Sequence, residues 1–279
     1  MIINNNIAAL NTHRQMGSVS GNAANSMEKL SSGMRINRGA DDAAGLSISE
    51  KMRGQIRGLE QASKNSQDAV SLIQTADGAL NESHAILQRM RELTVQAASD
   101  TNSADERTAV AGELTELTST LTDISTNTQF NGQKLLNASA GAATDGALVI
   151  QGGANSGETI ALDLGNADLA TTLTDLATAW VGVDSAANAA DTLDGIDAAI
   201  KSVSEGRAYL GAVQNRLDYT INNLNASAEN TQAAESRIRD VDMAKEMMNL
   251  TKNNILTQAS QAMLSQANQA PQAVLQLLR

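Results

Sequence analysis

The chain of 279 residues has no cysteine, one proline, one tryptophan, one phenylalanine and two tyrosines. Each shortage excludes something. Without cysteine there is no disulfide, no thiolate metal site and no thiol nucleophile. With so few aromatics, the interior cannot be filled as a compact enzyme core usually is, because aromatic rings supply much of the buried area there. What remains is aliphatic or small, which suits long helices packed side by side. Scarce proline and plentiful alanine point the same way. Positive charge is also short: 20 Lys and Arg stand against 31 Asp and Glu, a formal net charge of −11. Nucleic-acid binding needs a clustered excess of cations, so no nucleic-acid partner is expected. No apolar run approaches a membrane span, and no basic stretch leads into an apolar one at the start, MIINNNIAALNTHRQ. Neither membrane insertion nor a cleavable signal peptide is expected, and export needs another route.

Catalytic patterns are missing too. The two histidines, His13 and His84, are far apart and lie on different predicted helices. Neither G-x-S-x-G nor a phosphate-cradling G-x-x-x-x-G-K occurs, and no H-E-x-x-H is present. Asp41, Asp42, Asp240 and Asp242 form the only tempting acidic pairs. Carboxylates two apart on a helix do not share a face, so helix caps or ion pairs account for them better than a cation. No enzymatic activity, metal or cofactor is expected.

What is present is helical periodicity. Val19, Ala23, Met27 and Leu30 recur at helical spacing before INRGADDAAG interrupts, with Asp41 or Asp42 placed to cap the next helix. From Leu46 to Ala98 no proline intervenes, and Ile56, Leu59, Val70, Ile73, Leu80 and Leu87 lie on one grid of threes and fours. That predicts a helix roughly 80 Å long at about 1.5 Å per residue. Ser103 and Glu106 make a capping box. Behind it Val110, Leu114, Leu117, Leu121 and Ile124 form a coiled-coil seam that ends near Phe130-Asn131-Gly132. ALVIQ and ETIALDL alternate apolar and polar residues around GGANSG, which predicts two strands and a turn. Residues 165–190, with Trp180, carry no regular pattern. Helical spacing resumes at Asp191 and continues almost to the end, with Pro271 the one late interruption. Together these patterns predict a mainly α fold: a long antiparallel helical rod, coiled-coil-like, with a small central β-hairpin and both termini at one end.

The two ends share an oddity. Met1–Thr12 and Asn253–Leu278 contain no charged side chain, although apolar residues recur through both. A surface helix in water normally carries a charged face. An amphipathic but uncharged end suits burial among like neighbours, where amides and hydroxyls hydrogen-bond without ionic desolvation. The candidate self-assembly residues are Ile3, Ile7, Leu10, Val241, Met248, Ile255, Met263, Leu275 and Leu278. Alone, such ends have too little apolar area to offset their ordering entropy, so they are expected to be disordered in the monomer and to fold on assembly. Contacts between like subunits of this kind close into rings or propagate as helical filaments; spacing alone does not choose.

Several stretches resemble bacterial flagellin. INNNIAALN, EKLSSGMRINRGADDAAGLSISEKMRGQIRGL, LQRMRELTVQA and TQFNGQKLL carry the likeness on the N-terminal side. LGAVQNRLDYTINNL, ESRIRDVDMAKEM and SQANQAPQAVLQLLR carry it on the C-terminal side, and QGGAN fits the family's short hairpin. The resemblance implies a filament subunit of the minimal type, lacking large outer domains. By the same resemblance such a subunit is expected to be secreted unfolded through the flagellar type III export route, kept by an export chaperone, and added at the tip of an extracellular filament. Cap and hook–filament junction proteins are the implied partners beside further copies of the chain. It divides the chain into residues 1–40 (end domain), 41–239 (rod domain, hairpin near 147–164, short variable region 165–190) and 240–279 (end domain). LQRMREL further resembles the motif recognised by the vertebrate Toll-like receptor 5, which implies Gln88, Arg89 and Leu93 as contacts, with Glu113 on the facing helix. Two rival readings compete with a filament subunit. A hook–filament junction protein shares the terminal patterns, and a cytoplasmic helical signalling rod shares the long seams but leaves the charge-free ends unexplained.

Overall fold

Along the middle of the chain, residues spaced alternately by three and four turn inward, and that spacing builds the longest helix. The computed structural model describes residues 6–137, 147–179, 183 and 185–277. In order, these form α1 (Ile7–Ser32), α2 (Ala43–Ala97), α3 (Ala104–Asn127), β1 (Gln129–Phe130), β2 (Gln133–Lys134), β3 (Ala147–Gln151), β4 (Thr159–Asp163), a 3-10 turn (Leu164–Ala167), α4 (Leu169–Ala179), α5 (Ala186–Arg239) and α6 (Met243–Leu277). The mainly α fold with a small β-hairpin is what forms. Two compact units arise: a terminal unit of Met1–Gly54 with Glu229–Arg279, and a central unit of Gln55–Ala228. The helix breaks near residues 40 and 240 both lie inside the terminal unit.

In the central unit the inward positions of α2 are Ala62, Ser66, Ala69, Ile73, Ala76, Leu80, Ser83, Leu87, Met90, Thr94 and Ala97, all buried. They alternate by four and three without a fault, the coiled-coil period. Ile56, Leu59 and Val70, expected on this seam, are only half-buried. Small residues take many of the true positions, which a search for large apolar residues passes over. The seam hydroxyls are satisfied one turn back: Ser66 donates to the Ala62 carbonyl at 2.9 Å, Ser83 to Ala79 at 2.9 Å and Thr94 to Met90 at 2.8 Å. Their burial therefore leaves no orphaned group.

Polar pairs between α2 and α5 show that these helices run antiparallel. Ser63 donates to Asn225 at 3.0 Å, Arg207 to Asp77 at 2.8 Å and Arg91 to Asp197 at 2.6 Å. As α2 advances, its partners on α5 retreat. The capping box opens α3: the Ser103 N–H donates to the Glu106 carboxylate at 2.8 Å while the Glu106 N–H returns a bond to Ser103 Oγ at 3.3 Å. Leu114 and Leu121 are fully buried on its inner face.

Beyond α3 the sequence predicts only a helix end. A second hairpin forms instead, β1 against β2, turning at Asn131 (φ 49°) and Gly132 (φ 79°). Two consecutive positive φ values define the tight turn whose twist matches paired strands. Two-residue strands are too short to show an alternating pattern. In the predicted hairpin, Leu148 pairs with Leu162 and Ile150 with Ile160, and Ile160 and Leu162 are the buried face. Its turn rests on α2 at Gly58, where a Cβ would lie 2.8 Å from that of Ala154.

The stretch expected to be irregular contains α4, which buries Leu169 and Leu176. Asp168 accepts from the Ala170 N–H at 2.9 Å and from the Thr171 hydroxyl, an N-terminal cap hidden among threonines. Trp180 lies outside the described residues. α5 begins at Ala186, before the Asp191 where helical spacing becomes visible.

In the terminal unit Asn6 caps α1, accepting from the Ala9 N–H at 3.1 Å, and its amide donates to the Ala267 carbonyl of α6 at 2.7 Å. Gly33, at φ 71°, ends α1 in the left-handed conformation that glycine adopts without penalty. There Met34 bridges Asp240, the Arg35 N–H donates to the Arg239 carbonyl at 2.6 Å and the Val241 N–H to that of Gly33 at 3.1 Å. These ties at opposite ends set α1 and α6 antiparallel. The long C-terminal pattern is thus interrupted at residues 240–242, and not at Pro271, through which α6 continues. Asp242 makes the restart, accepting from the N–H groups of Ala244 at 3.0 Å and Lys245 at 3.2 Å.

Candidate assembly and recognition surfaces

The terminal unit has almost no apolar interior. Among its described residues only Val19 and Ile36 are buried hydrophobics. Helices of this length draw most of their stability from packing an apolar face, yet here the face looks outward. Of the predicted assembly residues, Ile7 is 60% exposed, Leu10 65%, Met248 67%, Ile255 61% and Met263 55%. Val241 is half-buried where the chain crosses between α5 and α6. Leu275 belongs to α6, but its side chain, like Ile3 and Leu278, lies outside the described residues.

The sequence reading missed Met27, Met243, Met247 and Leu256, which are exposed as well. The signal was there: Met243 and Met247 are one helical turn apart, as are Lys252 and Leu256. Met247, Met248, Thr251, Lys252, Ile255 and Leu256 line an open groove of about 510 Å³. Exposed large aliphatics and thioethers in such density mark a surface made to be covered.

A polar clasp holds the unit where α1, α2 and α5 meet. Arg239, whose side chain is 11% exposed, places its guanidinium 2.6 Å from Glu50, and its Nε reaches Met34 Sδ at 3.0 Å. The Arg239 hydrogen bond, helped by the charge of Arg53, holds the Glu50 carboxyl below its ordinary range. Arg35 adds a bond to the Ile238 carbonyl at 2.6 Å. Asp41 accepts from the backbone N–H groups of Arg38 at 3.0 Å and Asn37 at 3.1 Å, and these two bonds lower its pKa. Asp42 caps α2 by accepting from the Gly45 N–H at 2.9 Å. That approach explains Gly45, since a Cβ there would sit 2.5 Å from Asp42 Oδ2 and 2.8 Å from Ile36 Cδ1. Asp240 accepts from the Ser236 hydroxyl at 2.6 Å. All four aspartates of the two acidic pairs thus serve backbone or hydroxyl donors. Among the described residues no group of His, Asp and Glu could hold a metal, and no helix is long and apolar enough to cross a membrane.

In the central unit Arg89 donates through Nη2 and Nε to one oxygen of Glu113, at 3.0 and 3.3 Å, and through Nη1 to Glu92 at 3.4 Å. These carboxylates, Glu113 first, raise the guanidinium pKa further above its ordinary value. Gln88 is exposed beside them and meets His84 Nε2 at 2.9 Å. Arg89 and Glu113 therefore pair across α2 and α3 on exposed surface, while Gln88 turns to His84 on α2. Leu93 joins neither pair: at 3% exposure it packs beneath, in the core.

Comparisons with known proteins match this layout. The family described as bacterial flagellin N-terminal helical region matches residues 3–141, and the bacterial flagellin C-terminal helical region matches residues 193–278. The chain is 59% identical over 279 residues to the flagellin of Halalkalibacterium halodurans and 56% identical over 305 residues to that of Bacillus subtilis. In both cases 100% of each chain is covered. Among solved structures, Bacillus cereus flagellin superposes with a TM-score of 0.51 at 33% identity, covering 62% of this chain and 94% of that one. A putative flagellar hook-associated protein from Vibrio parahaemolyticus superposes with a TM-score of 0.60 over 72% of this chain and 100% of that one. At 13% identity the latter is a likeness of fold alone.

Proposed function

The chain belongs to the bacterial flagellin family, and from that premise we propose how its two units divide the work of a filament subunit. It is a structural subunit of the flagellar filament, assembling with further copies of itself. The terminal unit is the assembly device: α1 and α6, charge-free over residues 7–12 and 253–277, bury their apolar faces against the same helices of neighbouring subunits. The central unit, with a finished core of its own, forms the surrounding wall. One observation carries this division. Ile7, Leu10, Met248, Ile255 and Met263 stay open to solvent in the single chain, although they are apolar residues at near-helical spacing of the kind the central unit buries.

The same feature supports export of an unfolded chain and a chaperone that covers α6 before secretion, since these faces aggregate if left bare. Addition at the distal tip beneath a cap, contact with the hook–filament junction, and an extracellular filament complete the proposal. The role is structural rather than catalytic. Domain limits near residues 40 and 240 belong to it as well, as the points where the assembly helices begin and end.

Sedimentation and electron microscopy of the full-length chain, beside versions lacking Met1–Gly33 or Asp240–Arg279, test it. Filaments from the full-length chain alone are expected. Three equally monomeric samples, even with filament seeds added, overturn it.

A second reading rests on the open Arg89 face. Its planar guanidinium can stack and hydrogen-bond at once, and this supports recognition by Toll-like receptor 5 through Gln88, Arg89 and Glu113. Leu93 serves that face from below by holding the helix in place. Arg89→Ala is expected to weaken receptor signalling by the monomer, and full potency refutes the assignment. Leu93→Ala is expected to weaken it through packing, with a lowered melting temperature as the accompanying sign.

A further inference from the structure

The distribution of sulfur follows the division between the two units. The chain has ten methionines and no cysteine, so thioethers are its only soft nucleophiles. Of the ten, only Met90 belongs to the central unit, where it is 0% exposed. The terminal unit holds Met27 at 58%, Met243 at 49%, Met247 at 51%, Met248 at 67% and Met263 at 55% exposure. Met247 and Met248 line the open groove on α6. Met34 differs from these: it is half-buried, and its sulfur accepts from Arg239.

Resting on the assembly role proposed for the terminal unit, we infer that Met27, Met243, Met247, Met248 and Met263 are oxidation sites through which peroxide blocks addition of the free subunit. In each, a lone pair on sulfur attacks one peroxide oxygen and the O–O bond breaks. Hydroxide leaves and takes the proton from the transferred oxygen, so sulfur becomes a sulfoxide and peroxide is reduced to water. A flexible apolar side chain thereby becomes a polar one. Its new oxygen needs a hydrogen-bond donor, and burying it among aliphatic neighbours without one is costly. The modification leaves the central unit intact, because Met90 is out of reach. It is also selective for the unassembled state: faces packed between subunits are closed to peroxide, so a finished filament outlasts the oxidant that stops its growth.

The test treats full-length protein with hydrogen peroxide, maps sulfoxides by peptide mass spectrometry and measures elongation from filament seeds. Oxidation at the five exposed residues and not at Met90 is expected, with elongation slowed at least about tenfold. Methionine sulfoxide reductases should restore it, and preformed filaments should resist modification at the same positions. A variant with all five changed to leucine should elongate equally well before and after peroxide. Where that variant fails to elongate untreated, reductase recovery of the oxidised native chain decides instead. Undiminished elongation by protein carrying the five sulfoxides, or no recovery after their reduction, overturns the inference. Untreated native protein that never elongates seeds refutes the assembly reading beneath it, a different failure.

Discussion

Leu80 in α2 is 1% exposed and Ile255 in α6 is 61% exposed, yet both stand in apolar repeats of coiled-coil spacing. The difference is the partner. Leu80 meets the other elements of its own unit, in a core that also takes in Leu121, Leu162 and Leu210. Among the described residues Ile255 has no such layer, and the terminal unit's buried hydrophobics there stop at Val19 and Ile36. A periodic apolar face states that something will cover it. Only the presence or absence of a second layer states whether that cover comes from within the chain or from another subunit.

The contrast can be broken most sharply with two truncations of side-chain volume. Leu80→Ala should destabilise the monomer by about 2–5 kcal/mol, the usual cost of a cavity in a closed core. Ile255→Ala should change monomer stability by less than about 0.5 kcal/mol, as exposed substitutions do, while weakening seeded polymerisation. Denaturant melts and elongation rates of both variants give the four numbers; equal melting losses would erase the distinction.

A second substitution asks what holds the terminal unit if apolar burial does not. Gly45→Ala drives a Cβ against Asp42 and Ile36, and an overpacked contact of this kind costs about 1–3 kcal/mol. The loss should appear as faster amide exchange at Arg35 and Val241, whose N–H groups close the clasp, with the central unit's melt unchanged. Ser103→Ala removes one half of the α3 capping box and should cost the central unit about 1 kcal/mol, leaving the clasp untouched.

The smallest effect is one of pH. Glu50 titrates below its ordinary value near 4.5 because Arg239 bonds its charged form. A carboxyl depressed in the folded state adds stability that is complete above the ordinary value and is lost as pH falls through the lowered one. Protection factors at Arg35 and Val241, taken against the intrinsic exchange rate at each pH, should therefore fall on acidification below that value, and Glu50→Gln should flatten the dependence. Because Glu50 is half-exposed, solvent screening keeps the effect slight.

Much of this was legible beforehand, and the misses have physical reasons. Ser103 and Glu106 announced α3 because a capping box is local. The ALVIQ strand announced itself because five residues suffice for alternation. The α2 seam was misjudged at Ile56, Leu59 and Val70 because Ala, Ser and Thr take seam positions that apolar counting ignores. The hairpin at Asn131-Gly132 and the helix α4 were missed because two-residue strands show no period and because threonine masks a helix opened by Asp168. The exposed ends were found through absence of charge, Met263 among them, and Met248 through its spacing from Ile255. Met27, Met243 and Met247 were missed, since they lie outside the charge-free stretches and off that spacing.

Hydrogen–deuterium exchange on monomer and filament, compared peptide by peptide, tests the central claim most directly. Slow exchange in both states is expected for α2 between Ala62 and Ala97 and for the inner face of α3. For Ile7–Ser32 and Met243–Leu277 fast exchange is expected in the monomer and strong protection in the filament. Equal protection of the terminal helices in both states would contradict that claim, since those helices would then be complete without their neighbours.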